Sequence, residues 1–260
     1  FLLLTMLAVL CGVLLFNTLM LRPIEIDLQE KHECNINDSA LIRFAEAIRI
    51  PTISYDDSTR FDSVPFLRLM ELLTLHYPLM NNLTEKEVVN GYGLLFRWKG
   101  KSATPTDGHQ KGENSKKPVL LLAHTDVVPV EEETISQWTH LPFSGKIADG
   151  FLWGRGSLDD KVGVIAICEA VEKLLTEAFV PEQTVYIAFG FDEEIGGKRG
   201  AQQIAKLLNE RGVKAEFVLD EGMAVTEGVV PGIEKDVALI GIAEKGYLSL
   251  ELSVNIKGGH

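Results

Sequence analysis

The sequence predicts an α/β fold with a mainly parallel sheet and helices on both faces of that sheet. Three apolar runs of strand length occupy residues 119–123, 185–189 and 217–219, and segments of helical periodicity at 162–176 and 200–211 lie between them. Apolar strands that alternate with helices are typical of a parallel sheet covered on both faces. Polar residues follow each run, so the chemistry is expected at one edge of the sheet.

The residues before this unit complete the expected order of elements. Helices are expected at 40–49, where Pro51 ends the pattern, and at 64–76, and a strand is expected at 92–98. The polar stretch 101–117 contains Gly, Ser, Pro and Asn, a composition typical of a long exposed loop.

The composition is that of a globular protein with an acidic surface. Of 260 residues, 46% are hydrophobic, and 37 Asp and Glu against 25 Lys and Arg give a formal charge of -12. Because an acidic surface repels phosphate backbones, nucleic acid is excluded as a partner. The cysteines show no CxxC spacing, and Cys11 and Cys168 are interpreted as small apolar residues without a redox role.

Residues 1–21 carry no charge and form an apolar run. At about 1.5 Å per residue, a helix of this length is about 30 Å long, enough to cross a bilayer core. The alternatives are a cleaved signal peptide, whose apolar region is usually shorter, and a buried core helix, which would show a polar face. We expect an uncleaved anchor followed by a linker at 22–38. Acidic residues follow Arg22, so we expect the main body outside the cytoplasm (extracellular, periplasmic, or vacuolar and lumenal), membrane-anchored or secreted.

The candidate functional residues follow the apolar runs or precede the helix between them. They are His124, Asp126, Asp159, Asp160, Glu193, Glu194, Asp220 and Glu221. Each alone has a structural explanation, such as a satisfied histidine at a strand end, an Asp N-cap or an exposed acidic loop. Acidic residues at several strand ends together with one histidine, all expected at one sheet edge, instead predict a metal site.

The chemistry of each residue type supports this interpretation. A neutral imidazole at His124 is a good zinc ligand, and the carboxylate of Asp126 can accept the other ring N–H. The adjacent carboxylates of Glu193 and Glu194 repel each other unless cations lie nearby, so one can bind metal while the other moves protons. Carboxylate oxygens with imidazole suit zinc, with manganese and cobalt as alternatives.

Several stretches, taken in order, resemble one metallopeptidase family. This family contains carboxypeptidase S, aminoacylase, bacterial glutamate carboxypeptidase and succinyl-diaminopimelate desuccinylase, and the resemblance is greatest to its carboxypeptidase S and N-acyl-amino-acid hydrolase branch. The resemblance covers roughly residues 39–260. The matching stretches are Ala123-His124-Thr125-Asp126-Val127-Val128-Pro129, Trp138 with Pro142-Phe143-Ser144-Gly145, Trp153-Gly154-Arg155-Gly156-Ser157-Leu158-Asp159-Asp160-Lys161, Asp192-Glu193-Glu194, Leu219-Asp220-Glu221-Gly222 and Lys257-Gly258-Gly259-His260.

The resemblance implies a zinc-peptidase-like catalytic domain with two zinc ions. His124, Asp159 and Asp220 would bind one zinc, and Asp159 would bridge to a second zinc that is also held by Glu194 and by a later histidine. A cis peptide bond between Asp159 and Asp160 is implied as well.

The resemblance also assigns roles beyond the metal ligands. Glu193 would be the general base and Asp126 would orient the metal-binding histidine. His260 would help to hold the substrate carbonyl, at the start of a smaller α+β lid or dimerisation domain. The expected catalytic domain is 39–247, and 248–260 is the expected first strand of the lid.

These features predict a metal-dependent hydrolase that cleaves the amide bond of N-acyl amino acids or C-terminal peptide bonds. The same chemistry run in the synthetic direction is an alternative, and a non-catalytic, membrane-tethered binding protein on this fold is a rival. The chain begins at Phe1 and ends at His260 in an apparent strand–loop unit. We therefore expect an N-terminal fragment, inactive alone, whose homodimer contacts would lie in the missing lid.

Overall fold

The computed structural model describes residues 2–20, 38–102, 116–222, 225–243, 248 and 250–254, which fall into two units, Phe1–Ile36 and Asn37–His260. In the first unit, helix α1 (Leu2–Met20) has every residue exposed. Among the described residues it is the one helix with the length and apolar composition to cross a membrane, a test that signal sequences near an N-terminus also pass.

The second unit contains five further α-helices and nine strands in its described part. The helices are α2 (Asp38–Ile48), α3 (Ser63–His76), α4 (Pro78–Leu83), α5 (Lys161–Thr176) and α6 (Ala201–Glu210). The strands are β1 (Glu85–Val89), β2 (Gly93–Trp98), β3 (Val119–His124), β4 (Lys146–Ala148), β5 (Phe151–Trp153), β6 (Val185–Gly190), β7 (Val218–Leu219), β8 (Val225–Thr226) and β9 (Val237–Ala238). The helices expected in this unit and the strands expected in its central sheet are present, with ends that differ by at most two residues.

The central sheet has the strand order β1-β2-β6-β3-β7. Strand β3 pairs in parallel with β6 and β7, whereas β2 is antiparallel to β1 and β6. Four of the five strands therefore run in one direction and only β2 opposes them, which confirms the expected mainly parallel sheet. Two antiparallel ribbons, β4-β5 and β8-β9, lie outside it.

Helices cover both faces of the sheet, as expected. Because side chains alternate along a strand, Phe96 of β2 packs into the larger core with α2, α3, α4 and α5, while Leu95 faces α6 on the other side. Phe96 and Phe189 are nearly fully buried in the larger core, and burial of such a ring stabilises a fold by about 1.5–3 kcal/mol. The central strands are thus packed against helices on both faces of the sheet.

The pattern of the sequence did not reveal α4 and β1. Strand β1 has a polar start, Glu85-Lys86-Glu87, and it forms an edge strand because its backbone pairs with β2 in the register Glu85↔Arg97. Of the expected loop at 101–117, residues 103–115 lie outside the described residues. The described residues of the expected lid segment, 248 and 250–254, carry no strand.

Candidate metal centre

The carboxyl ends of β3 and β6 bring the predicted residues together. His124 is the last residue of β3 and pairs with Gly190, the last residue of β6. Glu193 and Glu194 follow β6 in a short 3-10 turn, Glu193–Ile195. Parallel strands that end side by side therefore place the histidine and the acidic pair at one edge.

The Asp159-Asp160 pair enters the same edge from the loop before α5. The peptide bond between the two residues is cis, as the family resemblance implies. Asp160 is the N-cap of α5 and its carboxylate accepts from the amide of Gly163 at 3.1 Å. Its other carboxylate oxygen accepts the backbone amide of His124 at 3.3 Å, whereas the carboxylate of Asp159 lies 2.9 Å from the ring of His124.

The imidazole of His124 is buried and stands at the centre of the cluster. Its Nε2 atom lies 2.9 Å from Asp159 Oδ1, 3.3 Å from Glu221 Oε1 and 3.8 Å from Glu193 Oε2. Its Nδ1 atom lies 3.0 Å from the backbone oxygen of Asp126 and 3.3 Å from Asp126 Oδ1. One ring nitrogen therefore faces the open acidic cluster and the other faces the interior.

Two groups of side chains have ligand atoms that lie within 4.8 Å of one another among the described residues. One consists of His124, Asp159 and Glu194, and the other of His124, Asp160 and Glu221. The first contains three residues that the sequence analysis named as ligands. The second adds Glu221, which belongs to the acidic pair after β7.

Two of the predicted site residues, Asp220 and His260, are not among the candidate ligands that the structure brings together, for different reasons. Asp220 is exposed, belongs to neither group, and accepts the amide of Glu221 at 2.9 Å with its own carboxylate. His260 lies outside the described residues. The contact of Glu221 with His124 was not predicted from the sequence, although the adjacency of the two carboxylates marked the position.

The carboxylate of Asp126 is completely buried and contacts several parts of the site. It accepts the amides of Glu193 and Glu194 at 3.1 and 3.2 Å, and the hydroxyl of Ser54 at 2.6 Å. No motif in the sequence marks Ser54, which lies 72 positions from Asp126 along the chain. The expected orienting role of Asp126 towards His124 thus has a geometric basis, since Asp126 faces Nδ1 of the ring.

The charges of the cluster shift the pKa values of its members. Burial alone lowers the pKa of His124, but the hydrogen bond and charge of Asp126, with the charges of Glu221 and Glu193, outweigh burial and raise it to about 10. Burial raises the pKa of Glu221 to about 7, and the charges of Asp159, Asp160 and Glu193 add to that rise. Burial and the neighbouring carboxylates also raise the pKa of Glu193 and of Glu194.

The donor set suits a divalent cation. Six carboxylates surround one imidazole, and the ion pairs that described residues make to Asp126, Asp159, Glu193 and Glu221 all come from His124. The nearby buried cation, Lys161, donates instead to the backbone oxygens of Ala47 and Ile50. Carboxylates held this close repel one another, and a multivalent cation removes that repulsion.

The fold and the cluster define an α/β protein with a carboxylate-rich candidate metal site at the carboxyl ends of its parallel strands. Residues 120–257 match the profile of peptidase family M20/M25/M40, and the chain belongs to that family. The family expected from the sequence motifs is therefore confirmed, including the branch with carboxypeptidase S and N-acyl-amino-acid hydrolases.

Curated relatives extend over most of the chain. It is 41% identical over 222 residues to the probable carboxypeptidase S-like 2 of Dictyostelium discoideum, a match that covers 84% of this chain and 40% of that protein. It is 39% identical over 240 residues to the N-fatty-acyl-amino acid synthase/hydrolase PM20D1 of Xenopus tropicalis, covering 87% of this chain and 44% of that one. The chain thus spans less than half the length of these relatives.

Solved structures share the fold at lower identity. Human carnosine dipeptidase 1 matches with a TM-score of 0.55 and 19% identity, over 73% of this chain and 40% of that one. The family M20 metallo-carboxypeptidase Sso-CP2 of Sulfolobus solfataricus matches with a TM-score of 0.53 and 24% identity, over 73% and 38%. These similarities establish the arrangement of helices and strands.

Proposed function

We propose that this chain carries the metal centre of a hydrolase that cleaves the amide bond of N-acyl amino acids or C-terminal peptide bonds. The observation that carries the proposal is the convergence of His124 with Asp159, Glu193 and Glu194 at one sheet edge, in a chain of peptidase family M20/M25/M40. The names of the relatives, carboxypeptidase S-like and N-fatty-acyl-amino acid synthase/hydrolase, support the substrate class.

The proposed ligands are those that the family resemblance implied. His124 and Asp159 would hold one zinc with Asp220, and Asp159 and Glu194 would hold the second, together with a histidine later in the protein. Cobalt or manganese are substitutes that the same oxygen and nitrogen donors accept. When bound, such cations supply Lewis-acid polarisation of the scissile carbonyl and lower the pKa of a water molecule.

Glu193 is the proposed proton carrier. Its side chain is about half exposed (51%), so it reaches the solvent in which a substrate and the attacking water arrive. Its backbone amide is held by Asp126 at 3.1 Å, which fixes the turn that carries it. Glu193 accepts the proton of the attacking water and delivers it to the leaving amine nitrogen. In the metal-free chain, burial and the neighbouring carboxylates raise the pKa of this carboxyl group.

Asp126 and His124 hold the geometry during this transfer. The buried carboxylate of Asp126 lies against Nδ1 of the ring, which leaves Nε2 directed at the acidic cluster. A buried partner on one ring nitrogen fixes the orientation and the proton position of the other. We also propose that His260 contacts the substrate carbonyl from the lid domain, where homodimer contacts would form.

The location of the protein is a further part of the proposal. The apolar helix Leu2–Met20 would act as an anchor or a signal segment, and the metal centre would lie outside the cytoplasm. This placement follows from the helix and from the acidic residues after Arg22.

A hydrolysis assay on the full-length protein tests the proposed function. Purified protein is incubated with a panel of N-acyl amino acids and dipeptides, with and without prior removal of metal by a chelator. We expect release of the free amino acid, loss of activity after chelation, and recovery with zinc. A full-length protein that binds zinc but releases no amino acid from any member of the panel would favour the rival function, a membrane-tethered binding protein.

A further inference from the structure

Residues 52–54 follow α2 and run beside residues 124–127, to which they are hydrogen-bonded. The hydroxyl of Thr52 donates to the backbone oxygen of Thr125 at 2.5 Å, and the amide of Val127 donates to the backbone oxygen of Thr52 at 2.9 Å. The amide of Ser54 donates to the backbone oxygen of Val127 at 3.2 Å. Both Thr52 and Ser54 are buried, at 0% and 2% exposure. Residues 52–54 therefore form a buried segment next to the candidate metal site, and this segment is called the inner wall.

The two hydroxyls of this segment have different partners. Thr52 bonds to the main chain, whereas Ser54 donates to Oδ2 of Asp126 at 2.6 Å. A charge-assisted hydrogen bond between a hydroxyl and a carboxylate is short and roughly twice as strong as a neutral one. Of these two hydroxyls, that of Ser54 is the one that contacts a side chain of the candidate metal site, the carboxylate of Asp126.

The carboxylate of Asp126 has its acceptor positions filled by four groups. An ionised carboxylate offers about four lone-pair sites, two on each oxygen. Oδ2 accepts from Ser54 Oγ and from the amide of Glu194, while Oδ1 accepts from the amide of Glu193 and faces Nδ1 of His124 at 3.3 Å. One buried carboxylate therefore couples the metal-binding imidazole to the turn that carries both glutamates.

We propose that Ser54 is a positioning residue of the metal centre, which acts through Asp126 to set the ring of His124 and the turn that carries Glu193 and Glu194. The inference rests on the proposed metal site. Without the hydroxyl, Oδ2 loses its shortest bond, and the carboxylate is free to turn about its Cβ–Cγ bond. This rotation of the carboxylate lengthens the contacts that Oδ1 makes with the imidazole of His124 and with the amide of Glu193.

Two measurements on the whole chain test this role of Ser54: the affinity for zinc and the hydrogen bonding of the His124 ring. Competition with a chromophoric chelator measures the dissociation constant for zinc, and the ¹⁵N shifts of the His124 ring in the zinc-free chain report the hydrogen bonding of each ring nitrogen. Ser54→Ala is expected to weaken zinc binding about 10–100-fold, which is the range for residues whose hydrogen bonds orient metal ligands. It is also expected to shift the ¹⁵N signals of the His124 ring. Ser54→Thr keeps the hydroxyl and is expected to restore most of the affinity.

Thr52→Val is the matched control, because it removes a hydroxyl of equal burial from the same segment without touching Asp126. We expect it to lower thermal stability while zinc affinity and the ring signals stay near those of the unmodified chain. Equal zinc affinity and ring signals in Ser54→Ala and the unmodified chain would overturn the proposal, as would a loss in Thr52→Val as large as in Ser54→Ala.

Ser54→Cys provides a second test if Ser54→Ala does not fold. A thiol is a weak donor of similar shape, so its zinc affinity should fall below that of Ser54→Thr. Failure of both Ser54→Ala and Ser54→Cys to fold would assign the hydroxyl to the fold and overturn the proposal. An unmodified chain that binds no zinc would contradict the proposed metal site, and the ring signals would still decide the role of Ser54.

Discussion

The Nε2 atom of His124 lies 2.9 Å from Oδ1 of Asp159, although 35 positions separate the two residues. This contact joins the end of β3 to the loop before α5, and it directs the open ring nitrogen into the acidic cluster.

The first prediction concerns the histidine itself. His124→Ala removes the imidazole donor from both candidate ligand groups. It should weaken zinc binding more than about 100-fold, a larger loss than that expected from residues that only hydrogen-bond to a metal ligand. Titration with zinc under chelator competition measures the change. His140→Ala is the control, since its ring packs on Trp153 at 5.2 Å and belongs to neither ligand group. Equal losses in the two variants would mean that His124 is not a ligand.

The second prediction separates the two adjacent glutamates. Glu193→Gln in the full-length protein should keep the bound zinc and lower the hydrolysis rate by several orders of magnitude, because it removes the proton acceptor and little else. Glu194→Gln should instead lower the zinc content, because Glu194 belongs to a ligand group. Metal analysis and steady-state kinetics on both variants give the answer. A near-normal rate for Glu193→Gln would place the base elsewhere.

The third prediction concerns the carboxylates that follow β7. The family resemblance assigns the ligand to Asp220, whereas Glu221 is the one that lies 3.3 Å from His124. We expect Asp220→Asn to weaken zinc binding by about 10-fold or more and Glu221→Gln to weaken it less, since the burial that raises the pKa of Glu221 disfavours its charged form. Zinc titrations of the two variants side by side make the comparison. The reverse order would assign the ligand to Glu221.

The fourth prediction concerns protons released by the metal. Against the opposing effect of burial, Asp126, Glu221 and Glu193 raise the pKa of His124 to about 10, so the ring is protonated at pH 7. A ligand must be neutral imidazole, and zinc binding should therefore release about one proton from this residue. The affinity should then rise about tenfold per pH unit between pH 7 and 9.

Calorimetric titrations in buffers of different ionisation enthalpy count those protons. The observed heat should change in proportion to the ionisation enthalpy of the buffer. Heat that is the same in every buffer, together with a zinc affinity that does not change with pH, would show that His124 is already neutral.

The sequence revealed the features that depend on local pattern. The apolar runs that became β3 and β6 are continuous because both faces of the sheet are covered, so their residues alone predict buried parallel strands. Their ends carry His124 and the Glu193-Glu194 pair, and the rule that parallel strands end at one edge was enough to place them together. Strand β1 was missed because pairing with β2, rather than its own polar residues, makes it a strand.

Only the tertiary structure distinguished residues that look equivalent in the sequence. Asp220 and Glu221 are adjacent carboxylates, and the path of the chain after β7 decides which of them meets His124. Ser54 resembles any serine near a helix end, yet it supplies the shortest bond to the buried carboxylate of Asp126. The physical reason is range: hydrophobic periodicity is local and can be recognised within a dozen residues. A hydrogen bond across 72 positions depends on how the sheet and the helices pack.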